Sequence, residues 1–148
     1  MSNLKIALVP FGHIHEVYAA ILPFIKKMEP WNFGRVHVDD ISAMLFSDKV
    51  QLWIVFDTET KIIHGYLATE IRSYPRNKVL SVIGCGGEDG KLDECVEQVL
   101  DIFEDYAKDC GCGGLDFQGR PAWAKFVKAR GYETPMRHYY KRIEGEPS

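Results

Sequence analysis

The sequence predicts a single α/β domain of the α+β kind, with a mixed, mostly antiparallel sheet flanked by helices. Three observations predict it. Segments with strand-like and helix-like apolar spacing alternate along nearly all of the 148 residues. Gln51 to Phe56 and Ile62 to about Ser73, separated by a turn at Asp57 to Lys61, form an antiparallel hairpin pattern. Lys78 to Ile83 then leads through Gly84-Cys85-Gly86-Gly87 into the strongest amphipathic helix pattern in the chain.

Taken in order, Leu4 to Pro10 is a short strand. His13 to Met28 is helical, with Ile14, Val17, Ile21, Phe24, Ile25 and Met28 at helical spacing, and Pro23 is expected to kink or divide it. Pro30 to Gly34 forms a loop before a second short helix, which Asp39 or Asp40 would cap and which carries Ile41, Met44, Leu45 and Phe46. The hairpin follows, then a loop at Tyr74 to Asn77 and the strand Lys78 to Ile83. The helix from about Gly90 to Asp109 puts Leu92, Cys95, Val96, Val99, Ile102, Phe103 and Tyr106 on one stripe, and Asp93, Glu94, Glu97, Asp101, Glu104 and Asp105 off it, as a solvated face. Gly111 to Gly114 ends that helix. A strand at Leu115 to Gln118, a helix at about Pro121 to Ala129, a turn at Arg130-Gly131 and a last strand at about Tyr132 to Ile143 complete the domain, with Glu144 to Ser148 as a frayed tail. No linker divides residues 1–148.

Composition narrows the function. At 46% hydrophobic residues the chain can bury an ordinary core, and its net charge of −3, with Lys and Arg dispersed, leaves no basic stripe for nucleic acid or an anionic membrane. The longest nearly apolar run, Val17 to Ile25, contains a proline and is far short of the roughly 20 residues that a spanning helix needs. The N-terminus lacks a leader pattern, so a cytoplasmic protein is expected. Cys85, Cys95, Cys110 and Cys112 are spaced too irregularly for a disulfide scaffold and are expected as free thiols. No metal is expected. His13 and His15 would diverge on a helix, and no second Cys or His pair follows Cys110 and Cys112 at a zinc-binding spacing.

The segment Lys78 to Leu92, KVLSVIGCGGEDGKL, has the outline of an anion cradle: a strand, then Gly84, Gly86, Gly87 and Gly90, then a helix start. Glycines let the backbone turn with positive φ and let a ligand approach the main chain, and a helix N-terminus attracts phosphate. The plainer alternative is a strand-to-helix connection that uses glycine only for geometry. Cys85 is expected beside the helix start, either as a small buried residue or as a thiol of lowered pKa.

GCGGEDG at this place, together with RPAWAKFVKARGYE near the C-terminus, resembles the GNAT superfamily of acyl-CoA-dependent N-acyltransferases, and the element order is similar over nearly the whole chain. With its Arg120-Pro121-Ala122-Trp123 opening, the second motif looks most like small, divergent GNAT-like proteins of tailed bacteriophages, which would place the protein in the host cytoplasm. The resemblance implies a GNAT-like fold with acetyl-CoA as acyl donor and an amine as acceptor. The donor's pantetheine would pair along Ser81, Val82 and Ile83, and its pyrophosphate would meet Gly84, Cys85, Gly86, Gly87, Gly90 and Lys91. A carboxylate added by Gly86→Asp would then block the phosphate. Glu70, or Glu88 near the loop, would be the general base, with Glu70 and Asp116 lining a pocket for a cationic amine. The chain departs from the family at several positions, among them Glu88 and Asp89, which put negative charge beside the proposed phosphates, and Arg120, where members often have asparagine. Ser81 or Ile83 stands where a polar anchor belongs, and Val127 stands where many members carry the tyrosine that protonates the leaving thiolate. Tyr139 on the last strand would substitute for that acid. The alternative implied by these departures is a GNAT-like module without catalysis, serving binding or assembly with a protein partner or a second copy, for instance in a phage virion or at a host surface.

Overall fold

A computed structural model describes residues 3–28, 37–118 and 123–143. The chain gathers into two units, Met1–Phe117 and Gln118–Ser148.

The first unit holds a five-stranded sheet in the order β1-β2-β3-β4-β5, formed by Leu4–Val9 (β1), Val50–Asp57 (β2), Ile63–Tyr74 (β3), Asn77–Gly87 (β4) and Gly114–Phe117 (β5). All neighbours are antiparallel except β4 and β5, which run parallel. The sheet is apolar on both faces because residues alternate between them. Leu4, Ile6, Trp53, Val55, Leu67 and Leu80 face one way, and there they meet Cys95, Val99, Phe103 and Ala107. Val9, Val50, Leu52, Tyr66 and Ala68 face the other way, against Ile14, Ile21, Ile25, Val38 and Leu45. The helices concerned are α1 (Ile14–Met28) and α2 (Val38–Leu45) on the second face, and α4 (Val96–Asp109) on the first.

Local chemistry explains most of the element ends. Asp57 Oδ1 accepts from the Glu59 and Thr60 backbone at 2.8 and 3.0 Å, an Asx turn that closes the β2–β3 hairpin. At the end of α4 the Cys112 amide donates to Ala107 and the Gly111 amide to Lys108, with Gly111 at φ +74°, which is a Schellman ending. The second unit's helix α5 (Ala124–Ala129) ends in the same way on Gly131 at φ +90°.

Five expectations are corrected. Pro23 does not divide α1, which runs through it from Ile14 to Met28. Burial of Ile14, Ile21 and Ile25 holds that helix where its own backbone ladder is interrupted. The cap of α2 is His37, whose Nδ1 accepts from the Asp39 amide at 3.2 Å while Asp40 Oδ2 accepts from the His37 amide at 2.9 Å, a capping box with an imidazole as acceptor. The helix expected from Gly90 to Asp109 is two, α3 (Lys91–Glu94) and α4. They part at Cys95, whose amide donates to the Leu92 carbonyl at 3.1 Å and whose thiol donates toward the Lys91 carbonyl at 3.4 Å. Strand β4 continues through the glycines to Gly87, because Gly65 to Ala68 on β3 pair with them. Finally, residues 132–143 carry no strand. The expected loop at Pro30 to Gly34, the Arg120-Pro121-Ala122 segment and the tail at Glu144 to Ser148 lie outside the described residues.

Candidate functional site

The site is built by one irregularity in the sheet. Ala68 pairs with Gly84 and Thr69 with Val82, so Ile83 is an extra residue on β4, a β-bulge. On the opposite edge β5 follows β4 only from Val79 to Val82. Among the described residues no strand pairs with that edge from Ile83 to Gly87. The Glu88 amide donates to the His64 carbonyl at 3.0 Å, so by strand alternation the backbone groups of Gly86 also face β3. Those of Gly87 face the open edge, where its carbonyl accepts from Lys27 Nζ at 3.2 Å.

Below that edge the chain turns at Glu88-Asp89-Gly90, with Gly90 in the left-handed region at φ +80°. Side chains from two other elements hold the turn. Lys27 of α1 reaches Asp89 Oδ1 at 2.7 Å, and His64 Nδ1 lies 2.9 Å from Glu88 Oε2. Lys91 opens α3 next to it.

Above the bulge a polar row crosses the sheet on the face of α1 and α2. Glu70 pairs with Ser81, and Ser81 with Asp116. The Ser81 hydroxyl donates to Asp116 Oδ1 at 2.6 Å, and Glu70 Oε1 accepts from Arg72 Nε at 3.0 Å. Glu70 and Asp116, expected together around an acceptor, therefore stand two strand spacings apart on one face with a hydroxyl between them.

The residues expected around the donor divide into groups. Ser81 and Val82 lie inside the β4–β5 ladder, opposite Asp116 and Phe117, so a paired strand already takes up the edge where pantetheine was expected. Ile83, Gly84, Cys85, Gly86 and Gly87 lie along the open part of the strand. Gly90 and Lys91 follow at the turn. Cys85 pairs with Leu67 within β4 and packs with the α4 core, so it is a strand residue rather than a thiol at a helix start.

Only Gly90 among these glycines has a positive φ. The others serve close approach. A methyl on Gly86 would stand 2.8 Å from the Phe24 carbonyl oxygen, and one on Gly87 would stand 2.9 Å from the His64 carbonyl oxygen. Close packing against the backbone of α1 and β3 thus accounts for glycine at Gly86 and Gly87. Tyr139, expected as an acid on a final strand, lies in the strandless stretch of the second unit and is 87% exposed.

Sequence reasoning missed Lys27, His64 and Tyr66. Tyr66 shares a period-two face with Ala68 and Glu70, a signal present in GYLATE, but its position over Gly84 and Gly86 depends on strand register. Among the described residues no group of three metal-ligating side chains gathers, and no helix is long and apolar enough to cross a membrane.

No protein-family model and no curated protein matches the sequence. Solved structures do. The glucosamine-6-phosphate N-acetyltransferase of Arabidopsis thaliana superposes with a TM-score of 0.66 at 11% identity, over 97% of this chain and 100% of that one. An acetyltransferase of Trypanosoma brucei gives 0.67 at 11% identity, over 95% and 100%. The aminoglycoside N-acetyltransferase AAC(6')-Iy, in complex with the bisubstrate analog CoA-S-monomethyl-acetylneamine, gives 0.66 at 17% identity, over 97% and 100%. With its mixed five-stranded sheet and flanking helices, the chain therefore has the fold of the GNAT acetyltransferases.

Proposed function

We propose that the protein is an acyl-CoA-dependent N-acyltransferase that moves an acetyl group from acetyl-CoA to a primary amine by direct attack. The observation that carries this reading is the parting of β4 from β5 at the Ile83 bulge. An open strand edge can bind an amide chain as an added strand. The pantetheine arm of acetyl-CoA suits the edge from Ile83 to Gly87, and the diphosphate suits the turn below it, where Lys27 and Lys91 supply positive charge. Bound there, acetyl-CoA supplies an activated acyl group. The fold neighbours, N-acetyltransferases of amino sugars and aminoglycosides among them, support the same general chemistry.

The acceptor side is the face that carries Glu70 and Asp116. Two carboxylates there favour a cationic amine and hold it close, which raises the rate by positioning. Glu70 takes the proton that the ammonium must lose before its nitrogen can attack. Glu70→Gln is expected to lower turnover about 10²-fold and to leave acetyl-CoA affinity unchanged, measured on a panel of primary amines headed by glucosamine 6-phosphate and neamine. Unchanged turnover would remove Glu70 from the mechanism.

The donor half is tested by titration calorimetry with acetyl-CoA. Micromolar binding, about −8 kcal/mol, is expected. Reversing both lysines, Lys27→Glu with Lys91→Glu, is expected to weaken it at least about tenfold, and added salt should weaken the wild type in the same direction. No heat, with no competition by CoA up to millimolar concentration, would point to the alternative, a GNAT-like module that binds or assembles without catalysis.

A further inference from the structure

Tyr66 faces α1 and α2 from β3, opposite Gly86. Its ring lies obliquely across β4. Ring carbon Cε1 is 3.1 Å from where a methyl on Gly86 would stand, and the hydroxyl oxygen is 3.3 Å from where a methyl on Gly84 would stand. The two glycines make a trough that any larger residue would fill. Gly84 follows the bulged Ile83 directly, so the hydroxyl stands over β4 just where β5 has left it.

Tyr66 is only 2% exposed, and among the described residues its oxygen takes part in no hydrogen bond. A phenylalanine would pack the same trough, so packing alone does not call for the hydroxyl. Burial, with a smaller contribution from Cys85, also raises the phenol well above its usual pKa, so it keeps its proton and remains a donor.

We propose that the Tyr66 hydroxyl donates a hydrogen bond to the carbonyl oxygen of the acyl group bound at the bulge. This rests on the acetyltransferase reading of the site. As the amine nitrogen forms its bond to the carbonyl carbon, the carbonyl π pair moves onto that oxygen, and Tyr66 stabilises the charge that develops there. Return of the pair breaks the carbon–sulfur bond. The sulfur leaves with its electrons and takes a proton from water. Glu70 takes the proton that the ammonium loses before attack and passes it to solvent, and the second proton, lost from the nitrogen after attack, also goes to solvent, so one proton is released overall. Tyr66 ends as it began, as the neutral phenol. It therefore differs in kind from a tyrosine that protonates the thiolate, the role expected of Tyr139.

The test is carbon-13 NMR of protein labelled at the tyrosine ζ carbon, titrated with acetyl-CoA and, separately, with CoA. Tyr66→Phe assigns the resonance by its loss. If that variant does not fold, contacts to the Gly84 protons assign it in the wild type. The expected result is a shift of the Tyr66 signal with acetyl-CoA that CoA, which lacks the carbonyl, does not reproduce. Tyr66→Phe should also lower kcat about 10²-fold on any acceptor the amine panel yields, with KM for acetyl-CoA within about twofold. Acetyl-CoA that binds by calorimetry but leaves the Tyr66 signal where CoA leaves it overturns the role of Tyr66 alone. Absence of acetyl-CoA binding overturns the acetyltransferase reading and this role with it.

Discussion

Gly86→Asp is expected to destabilise the fold by at least about 3 kcal/mol, because it combines overpacking with a charge forced into a packed interface. The new β-carbon would lie 2.8 Å from the Phe24 carbonyl oxygen, 2.9 Å from Met28 Cγ and 3.1 Å from the Tyr66 ring. Methionine can yield. The Phe24 carbonyl belongs to the α1 backbone, so the helix itself must move, and the carboxylate would then be pressed toward that carbonyl. Urea denaturation measures the effect as a lower midpoint at unchanged slope. Gly86→Ala, which adds the methyl alone, should fall between it and the wild type. A midpoint unchanged in Gly86→Asp would mean that α1 does not rest on β4 in solution. The result also bears on function. Loss of acetyl-CoA binding in Gly86→Asp would reflect displacement of α1, whereas Lys27 and Lys91 probe the phosphate contact without entering the interior.

Phe103→Ala is expected to cost about 3–5 kcal/mol, the usual range for emptying a buried phenylalanine site. Phe103 is fully buried on α4 and meets Trp53 edge-on, with ring centroids 4.9 Å apart. Trp53 meets Tyr106 in the same manner at 5.1 Å. The indole is further fixed because its N–H donates to Thr69 Oγ1 at 3.0 Å, and Thr69 donates to Gln51 at 2.9 Å. Removing Phe103 therefore loosens the contact that presses α4 against β2 and β3. A domain's whole stability is about 5–15 kcal/mol, so a lower denaturation midpoint, with a change in tryptophan emission, should be plain. A midpoint within experimental error of the wild type would contradict the packing of α4 on this face.

Much of the fold could be read from residue spacing. Ile14, Ile21 and Ile25 recur at helical intervals and are the residues that α1 buries. Val99 and Phe103 do the same for α4. The hairpin at Asp57, the helix ending at Gly111 and the turn at Gly131 were legible because each depends on chemistry within a few residues. The glycine segment misled for the same reason. Local preference assigns Gly84-Cys85-Gly86-Gly87 to a turn, yet the segment is a strand, because β3 supplies partners from Gly65 to Ala68. Cys95 was assigned to the interior of one helix, but its backbone and thiol bonds to the preceding turn end α3 there.

The candidate site was legible in part. Glu70, Asp116 and the segment from Ile83 to Lys91 stood out by residue type. The row that joins Glu70 to Asp116 through Ser81 follows from register, and so does the loss of Ser81 and Val82 to the β5 ladder. Tyr66 and its hydroxyl gave no sign of their position, since a tyrosine alternating with Ala68 on a strand looks like any core residue.

By itself the sequence determined the alternation of strands and helices, the apolar faces and the residues available for chemistry, because periodicity and turn chemistry act over a few neighbouring residues. Only the tertiary structure decided the bulge at Ile83, the point at which β5 leaves β4 and the trough that carries Tyr66. Each of these depends on which residue of one strand stands opposite which residue of another, and such pairings are settled by packing between segments distant in the chain.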